Sequence, residues 1–288
     1  MKYNCDFCGK EFNIKPSHLK NRKTACCSRK CADKLKIQNK EKNRLNEVRE
    51  NNKGTIMKIV EYNEARNIVV EFQDEYKFRI NCRYNDFLKG NVSNPYDKTL
   101  CGVGYIGVGK YSPKTHPYIY RKWHEMIMRC YNCNDLERMP TYKNIFVEDY
   151  LLNFQNFAEW MEQNYYEIPN EKMVIDKDIL EKGNKVYDRE HMVFVPEKIN
   201  TLFIKCDKSR GNYPIGVSEG KNILYVHCSK DGKQKYLGSF PLNKPFQAFT
   251  IYKNFKENHI KEMANKYKNL IPEKLYEAMY KWEVEIND

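Results

Sequence analysis

The sequence has 288 residues, of which 31% are charged and 41% hydrophobic, and its formal net charge is +12. This length allows about two or three domains, and the aromatic content predicts folded cores, which excludes a largely disordered chain. No apolar run approaches the roughly 18 residues that a membrane-spanning helix needs, and the first residues lack the apolar stretch of a signal peptide, so we expect a soluble, intracellular protein.

The positive charge is concentrated in two regions. Residues 1–53 contain 15 Lys and Arg against 6 Asp and Glu, a net charge of +9, and residues 201–270 contain 13 against 5, a net charge of +8. The rest of the chain therefore carries −5. Two basic regions around a mildly acidic middle favour a protein that binds a polyanion, such as nucleic acid, at two places. The alternative is an ordinary lysine-rich surface.

Residues 1–35 contain cysteines at the spacing of a zinc finger. In a protein expected to be intracellular, these thiols are metal ligands or buried thiols rather than disulfides. The predicted zinc ligands are Cys5, Cys8, Cys27 and Cys31. Four thiolates complete a tetrahedral zinc site and leave no open position, so the predicted zinc is structural. Cys26 adjoins the second pair and is an alternative ligand, and four unrelated cysteines are the remaining possibility.

Two segments without predicted chemistry follow. Residues 36–53 are basic and favour helix, so we predict a helical linker that is either solvated or lies along a phosphate backbone. In residues 54–110, short alternating segments rich in Val, Ile, Tyr and Phe predict a small antiparallel, barrel-like β module.

Three glycines at the end of this module have the spacing of a dinucleotide-binding loop: Gly102, Gly104 and Gly107. That site requires a helix directly after the glycines, and Pro113 and Pro117 exclude one. We therefore expect no nucleotide cofactor, and interpret the glycines as a chain reversal between domains.

Residues 111–205 have the pattern of two helices, a hairpin and a short helix. "YIYRKWHEMIMRCYNCN" predicts the first helix, and "PTYKNIFVEDYLLNFQNFAEWMEQNYY" predicts an extended piece and a second, amphipathic helix. The predicted core residues of the second helix are Leu152, Phe154, Phe157, Trp160 and Met161. "VIDKDILEKGNKVYDREHMVFVP", residues 174–196, predicts a strand, a tight Gly-Asn turn and a second strand, and "EKINTLF" predicts the short helix.

The order of three fragments carries a resemblance to a known family. "WHEMIMRCY", "PTYKNIFVEDYLLNFQNFAEW" and "IDKDILEKGNKVYDREHMVFVPEKIN" together resemble the HNH (His-Me finger) homing endonucleases of bacteriophages, over about residues 115–205. The resemblance implies a ββα-metal unit with flanking helices that hydrolyses a phosphodiester bond of duplex DNA with Mg²⁺ or Mn²⁺. One such site would nick a single strand.

The resemblance also implies roles for individual residues. Asp176 and Lys177 fall on the family's catalytic Asp-His pair, Asn184 on its middle Asn, and His191 on its last metal-binding position. Asp176 and His191 would hold the metal against the scissile phosphate, where it would stabilise the leaving oxygen. Asn184 would fix the turn through hydrogen bonds to the backbone.

Lys177 departs from the family, whose general base at this position is usually His. A lysine ammonium keeps its proton at neutral pH and cannot take one from water. Either Asp178 or a metal-bound hydroxide replaces the base, or Lys177 contacts phosphate in a site that cuts slowly or not at all. A charged hairpin that binds no metal is the further alternative.

Residues 206–270 predict three strands followed by an amphipathic helix, and residues 271–288 a final acidic helix that packs back. Residues Phe246, Phe249, Tyr252, Phe255, Ile260 and Met263 form the predicted buried face of the long helix. The order resembles the Apetala-type (ethylene-response-factor-like) DNA-binding domain, which implies that the sheet contacts DNA. The implied contact residues are Ser218, Lys221, Tyr225, His227, Lys230, Lys233, Lys235 and Tyr236. A basic β3α module that binds no DNA is the alternative.

Together these features predict an α+β, multi-module, phage-encoded DNA-binding protein that acts in the bacterial cytoplasm. The leading hypothesis is a metal-dependent DNA endonuclease with a structural zinc finger and double-stranded DNA as its partner. The second hypothesis keeps the scaffold but not the activity. The chain would then be a DNA-binding regulator, or an inhibitor of a host defence complex similar to anti-CRISPR proteins.

Overall fold

The computed structural model describes residues 1–20, 23–138, 142–204, 211–286 and 288, except for the side chains of residues 133, 135 and 138. The chain divides into two compact units, residues 1–109 and 110–288, and each combines helices with small sheets, as the sequence predicts. No helix within these described ranges is long and apolar enough to span a lipid bilayer. The predicted module boundary at residues 205 and 206 lies outside the described residues.

The first unit begins with a hairpin and a helix. Strands β1 (Lys2–Asn4) and β2 (Glu11–Asn13) pair antiparallel, and helix α1 runs over Arg29–Arg44. Helix-favouring Lys, Gln, Glu and Arg residues continue past residue 35, so the predicted boundary between finger and linker lies inside one helix. At its end, Arg44 donates to the Tyr62 hydroxyl at 2.9 Å, which attaches the helix to the sheet that follows.

The rest of the first unit is an open sheet, and the predicted barrel is wrong. Its four antiparallel strands, in spatial order, are β3 (Val48–Glu50), β4 (Ile56–Glu64), β5 (Asn67–Phe72) and β6 (Arg79–Cys82). Helix α2 (Tyr84–Leu88) buries Phe87 in the sheet's core beside Ile59 and Val70. Four strands, two of them only three and four residues long, are too few to close around an interior.

The glycine-rich segment forms a turn near the end of the first unit. Leu100 and Gly104 form a bridge, and Cys101 and Gly102 between them have φ values of 51° and 72°. The next helix begins only at Pro117, so the helix that a dinucleotide site requires is absent from this described segment, as predicted.

The second unit begins with helices packed around aromatic residues. Its first elements are α3 (Pro117–Tyr131), α4 (Cys133–Arg138), β7 (Phe146–Val147), α5 (Asp149–Leu152) and α6 (Phe154–Asn164). All five predicted core residues of the second helical segment are buried. Trp123 of α3 is also buried and donates to the Leu151 carbonyl at 2.9 Å, which joins the two helical segments.

The predicted hairpin is more elaborate than a strand–turn–strand. Strands β8 (Met173–Asp176) and β10 (Val193–Pro196) pair antiparallel, with Asp176 opposite Val193. The segment between them, residues 177–192, is named the β8–β10 loop below. It contains β9 (Val186–Tyr187), which pairs in parallel with β7 and buries the Tyr187 side chain. Helix α7 (Glu197–Asn200) follows as predicted.

The predicted order of three strands and a helix is present in this region. Strands β11 (Val217–Glu219), β12 (Ile223–Lys230) and β13 (Lys233–Pro241) form an antiparallel sheet in chain order, followed by helix α8 (Pro245–Tyr267). Asp231 and Gly232, both at positive φ, form the two-residue turn between β12 and β13. One predicted core residue of α8 is wrong: Phe246, in its first turn, is 71% exposed.

The end of the chain packs back onto the second unit. Helix α9 (Glu273–Tyr280) buries Leu275 and Met279, as predicted. Lys182 of the β8–β10 loop donates to the Glu283 carbonyl at 3.0 Å and to the Asp288 carboxylate at 2.7 Å.

Candidate functional site

The four predicted zinc ligands form one cluster. Their sulfur atoms all lie within 4.8 Å of one another, and the Sγ distances are 3.6 Å for Cys8–Cys27, 3.6 Å for Cys27–Cys31 and 3.8 Å for Cys31–Cys8. A tetrahedral ion with bonds of about 2.3 Å to sulfur separates its ligands by about 3.8 Å. The cluster therefore has the dimensions of a tetrathiolate metal site.

The sequence around each cysteine pair explains this geometry. Gly9 follows the first pair at φ 70° and donates to the Cys5 carbonyl at 2.9 Å, which closes the turn that holds Cys5 and Cys8. Ser28 caps helix α1 by accepting from the Cys31 amide at 3.2 Å, so Cys31 lies in the first helical turn. Cys5 and Cys8 thus come from a tight turn, and Cys27 and Cys31 come from the start of a helix.

The thiols are electrostatically coupled. Hydrogen bonds with Cys8 and Cys31 raise the pKa of Cys27 to about 12. Burial acts to raise the pKa of Cys5, but the backbone amides of Cys8, Cys27 and Phe7 outweigh it and lower that pKa to about 6. All four sulfurs can be negative together only beside a cation, and a divalent metal would supply that charge.

The predicted catalytic pair lies where β8 ends and the β8–β10 loop begins, and both side chains form local hydrogen bonds. Asp176 Oδ1 accepts from the amides of Asp178 at 2.8 Å and Ile179 at 2.7 Å. Burial raises the pKa of Asp176 to about 6, and the Asp178 charge adds to this shift. Lys177 is only 7% exposed, and its ammonium donates to the Asn184 carbonyl at 2.7 Å and to Asp178 Oδ2 at 3.0 Å.

Asn184 makes the backbone hydrogen bonds that the resemblance implies. Its Nδ2 donates to the carbonyls of Lys177 and Val186, both at 2.8 Å, and its Oδ1 accepts from the Val186 amide at 3.0 Å. Together with the Lys177 ammonium, these bonds join the two sides of the loop. Lys177 and Asn184 are therefore parts of one structural network.

His191 lies in a separate group of charged side chains. Its Nδ1 is 2.9 Å from the Asp188 carboxylate, and its Nε2 is 2.8 Å from Glu181 Oε2. The hydrogen bond with Asp188 raises the pKa of His191, and the charges of Asp188 and Glu181 add to this shift. Both ring nitrogens thus have carboxylate partners, and neither is bonded to Asp176.

Within the described ranges, the only group of three or more His, Cys, Asp or Glu side chains close enough to hold a metal is the four-cysteine cluster. Asp176 and His191 belong to no such group, so the implied Mg²⁺ or Mn²⁺ site stays a prediction.

The predicted contact residues of the β3α sheet lie on different sides of it. Leu224, Val226 and Cys228 of β12 are buried towards α8, so the alternate positions face outward. Tyr225, His227 and Tyr236 share this outward face with Ser218, because Tyr225 pairs with Ser218 across the sheet and His227 pairs with Tyr236.

The lysines of β12 and β13 lie on the helix side of the sheet. Lys233 pairs with Lys230, and Lys235 pairs with the buried Cys228. Lys230 forms an ion pair with Glu262 of α8. Lys221 is exposed in the turn between β11 and β12. The predicted set of contacts therefore does not form one surface: the outward face is aromatic, and the lysines lie beside or behind it.

Comparisons with models of known protein families, with curated proteins and with solved structures gave no match.

Sequence reasoning missed two functional partners in the second unit. Asp188 and Glu181 hold the His191 ring, and the Asp-x-x-His spacing of Asp188 and His191 is a local pattern that indicates the first contact. Glu181 is ten residues from His191 and lies across the loop, so no local spacing indicates the second.

Proposed function

We propose that the chain is a nucleic-acid-binding protein in which the HNH-like segment serves as a folded scaffold. The observation that carries this proposal is the position of Lys177. Its ammonium is buried, and it donates inside the loop to Asn184 and Asp178. A general base needs a free lone pair within reach of the attacking water, and an ammonium engaged in this way offers none.

Nucleic acid as the polyanion is supported by the charge layout. The regions of +9 and +8 include helix α1, whose basic residues are on a helix with no buried residue, and the β3α region. Surfaces of this kind neutralise phosphates and release counterions, which gives affinity without requiring cleavage.

The metal in the four-cysteine cluster is proposed to be Zn²⁺. The donor set is entirely sulfur, the spacing is tetrahedral, and the segment of the first 28 residues buries only Cys5 and Ala25 in the described structure. Such a segment depends on the metal for its folding.

A second candidate, metal-dependent DNA cleavage, is favoured by one observation. Asp188 holds Nδ1 of His191, and Nε2 faces Glu181, whose side chain is 59% exposed. An oriented, half-exposed histidine is the kind of group that serves as a base.

The experiment that separates the two functions combines a cleavage and a binding assay. Purified protein is incubated with supercoiled plasmid in Mg²⁺ or Mn²⁺, beside His191→Ala, and binding of labelled DNA is measured in parallel. The scaffold proposal predicts DNA binding without nicking. Metal-dependent nicking that is lost in His191→Ala would replace it with the second candidate. Absence of both binding and nicking would contradict both.

A further inference from the structure

The outward face of the β3α sheet carries a compact group of exposed aromatic rings. Ring centroids are 5.5 Å apart for His227–Tyr236, 6.3 Å for Tyr225–His227 and 6.4 Å for Tyr225–Tyr236. Tyr236 is 60% exposed and Tyr225 38% exposed, although both lie in the middle of regular strands. We name these three residues the aromatic triad.

The triad is held in place rather than simply exposed. The ring of Tyr225 lies against Gly220, where an added Cβ would come within 2.3 Å of the ring. A bulge between Val226 and His227 shifts the register so that Tyr236 lies opposite His227. The ring of Tyr225 thus packs on the Gly220 backbone, and the strand register places Tyr236 beside His227.

The polar groups around the triad suit a single strand better than a duplex. The outward positions of β11, β12 and β13 are all described, and none of them is Lys or Arg, the side chains that most often read guanine edges in a duplex groove. Instead they include Ser218, Ser229, Gln234 and Ser239. Exposed rings on a sheet stack on the faces of bases, and paired bases inside a duplex do not present their faces.

One lysine lies beside the triad, where a bound strand would place a phosphate. Lys221 is exposed in the turn next to Gly220, at the Tyr225 end, whereas Lys233 and Lys235 are exposed on the helix side of the sheet, behind the rings. The eight residues of β12 span about 25 Å, which accommodates a few nucleotides with two or three stacked bases.

We propose that the aromatic triad binds unpaired bases by stacking, so that the chain's preferred ligand is single-stranded nucleic acid or a duplex with an unpaired segment. This inference rests on the proposed nucleic-acid binding and specifies the ligand. In this proposal the rings of Tyr225 and Tyr236 stack on bases, the His227 ring lies between them as part of the same surface, and Lys221 contacts phosphate.

The test measures fluorescence anisotropy of the full-length, zinc-loaded chain with one labelled DNA oligonucleotide, either single-stranded or annealed to its complement. The proposal predicts tighter binding of the single strand. Tyr225→Ala and Tyr236→Ala should each weaken it about tenfold, because stacking on one ring contributes that much or more. Tyr225→Phe and Tyr236→Phe should retain the wild-type affinity, and Gly220→Ala should weaken binding by displacing the Tyr225 ring.

Two controls separate stacking from general damage. Phe246→Ala removes a more exposed aromatic residue of the same region that is not on the sheet, and it should leave binding unchanged. The tyrosine variants should keep the wild-type slope of log affinity against log salt concentration, whereas Lys221→Ala should reduce that slope.

The outcomes distinguish this inference from the function on which it rests. If the chain binds duplex as well as single strand and both Tyr→Ala variants bind like wild type, the stacking proposal is overturned and nucleic-acid binding stands. If wild-type protein binds neither form, both fail.

Discussion

Lys177 is a structural cation at the centre of the β8–β10 loop. Its side chain is 8% exposed, while that of its ionic partner Asp178 is 47% exposed. The bond to the Asn184 carbonyl is a part-buried contact within the loop, whereas the Asp178 side chain is open to water.

Lys177→Met is expected to lower the free energy of unfolding of the second unit by about 1–3 kcal/mol, because a part-buried carbonyl loses its donor while most of the side-chain volume is kept. Denaturant titration measures this change. Lys185→Met, at an exposed lysine of the same loop, is the matched control and should have no measurable effect. Equal stability of both variants would show that Lys177 is not a structural residue.

At the scale of elements, the four-cysteine cluster joins the start of helix α1 to the turn that holds Cys5 and Cys8, so the folding of each depends on the other. Asp6 strengthens this dependence, because its carboxylate accepts from the Ala25 amide at 2.6 Å, just before Cys27. Without a metal, the short strands and the exposed helix have little apolar surface to hold them together.

Cys8→Ser is expected to reduce the bound zinc from one equivalent to well below it and to expose residues 1–28 to protease. Cys26→Ser should retain the full equivalent, because Cys26 lies outside the group of four. Metal content by mass spectrometry or a chromogenic chelator measures both. Loss of zinc in Cys26→Ser with retention in Cys8→Ser would reassign the ligands.

Glu171 joins three parts of the second unit. It accepts from Lys198 of α7 at 2.9 Å and from the Tyr267 hydroxyl of α8 at 2.8 Å, and its side chain is 13% exposed. The hydrogen bond from Lys198 lowers the pKa of Glu171 below its ordinary value of 4.5, against the opposing effect of burial. The contact thus couples the segment that contains β8, β10 and α7 to helix α8.

A carboxylate with a lowered folded-state pKa stabilises the protein above the unfolded-state value and loses this contribution as pH falls through the folded-state value. Glu171→Gln is therefore expected to lower stability by about 1 kcal/mol at pH 7, and the difference from wild type should shrink as pH falls below about 4.5. Glu167→Gln, at an exposed glutamate, is the control. Urea unfolding at pH 7 and at pH 3 tests this, and a pH-independent difference would contradict it.

Sequence patterns predicted the elements whose residues are close in the chain. The four-cysteine cluster, the core of α6 and the β3α order are all set by spacing within one segment. The errors have a common physical origin in contacts between distant segments. Strand β9 pairs with β7, so the segment predicted as a simple hairpin contributes strands to two different sheets. Arg44 contacts Tyr62 and Tyr84, so the helix predicted as a linker packs against the sheet of the first unit. Which face Lys233 and Lys235 occupy depended on the bulge opposite Val226 and His227, which no local pattern indicates.

At the scale of the whole molecule, charge is distributed unevenly between the units. Residues 1–109 contain 22 Lys and Arg against 13 Asp and Glu, a net charge of +9, and residues 110–288 carry the remaining +3. Most of the long-range attraction for a polyanion therefore comes from the first unit, while the aromatic triad lies in the second.

Lys36→Glu combined with Lys40→Glu, one turn apart on exposed α1, should weaken nucleic-acid binding uniformly across sequences and reduce the salt slope by at least about 2. Anisotropy titrations at several salt concentrations measure this slope. An unchanged slope would place phosphate contacts elsewhere. Thermal stability should be unaffected, because α1 has no buried residue.

The contact between Lys182 and the end of the second unit has a consequence for how the chain is made. Lys182 bonds to partners that are 101 and 106 residues later in the sequence. During synthesis, the ribosome must translate more than a third of the polypeptide after Lys182 before those partners exist. The nascent β8–β10 loop therefore emerges without its final contacts, and its closure is expected to be a late event in folding, after the β3α region has formed.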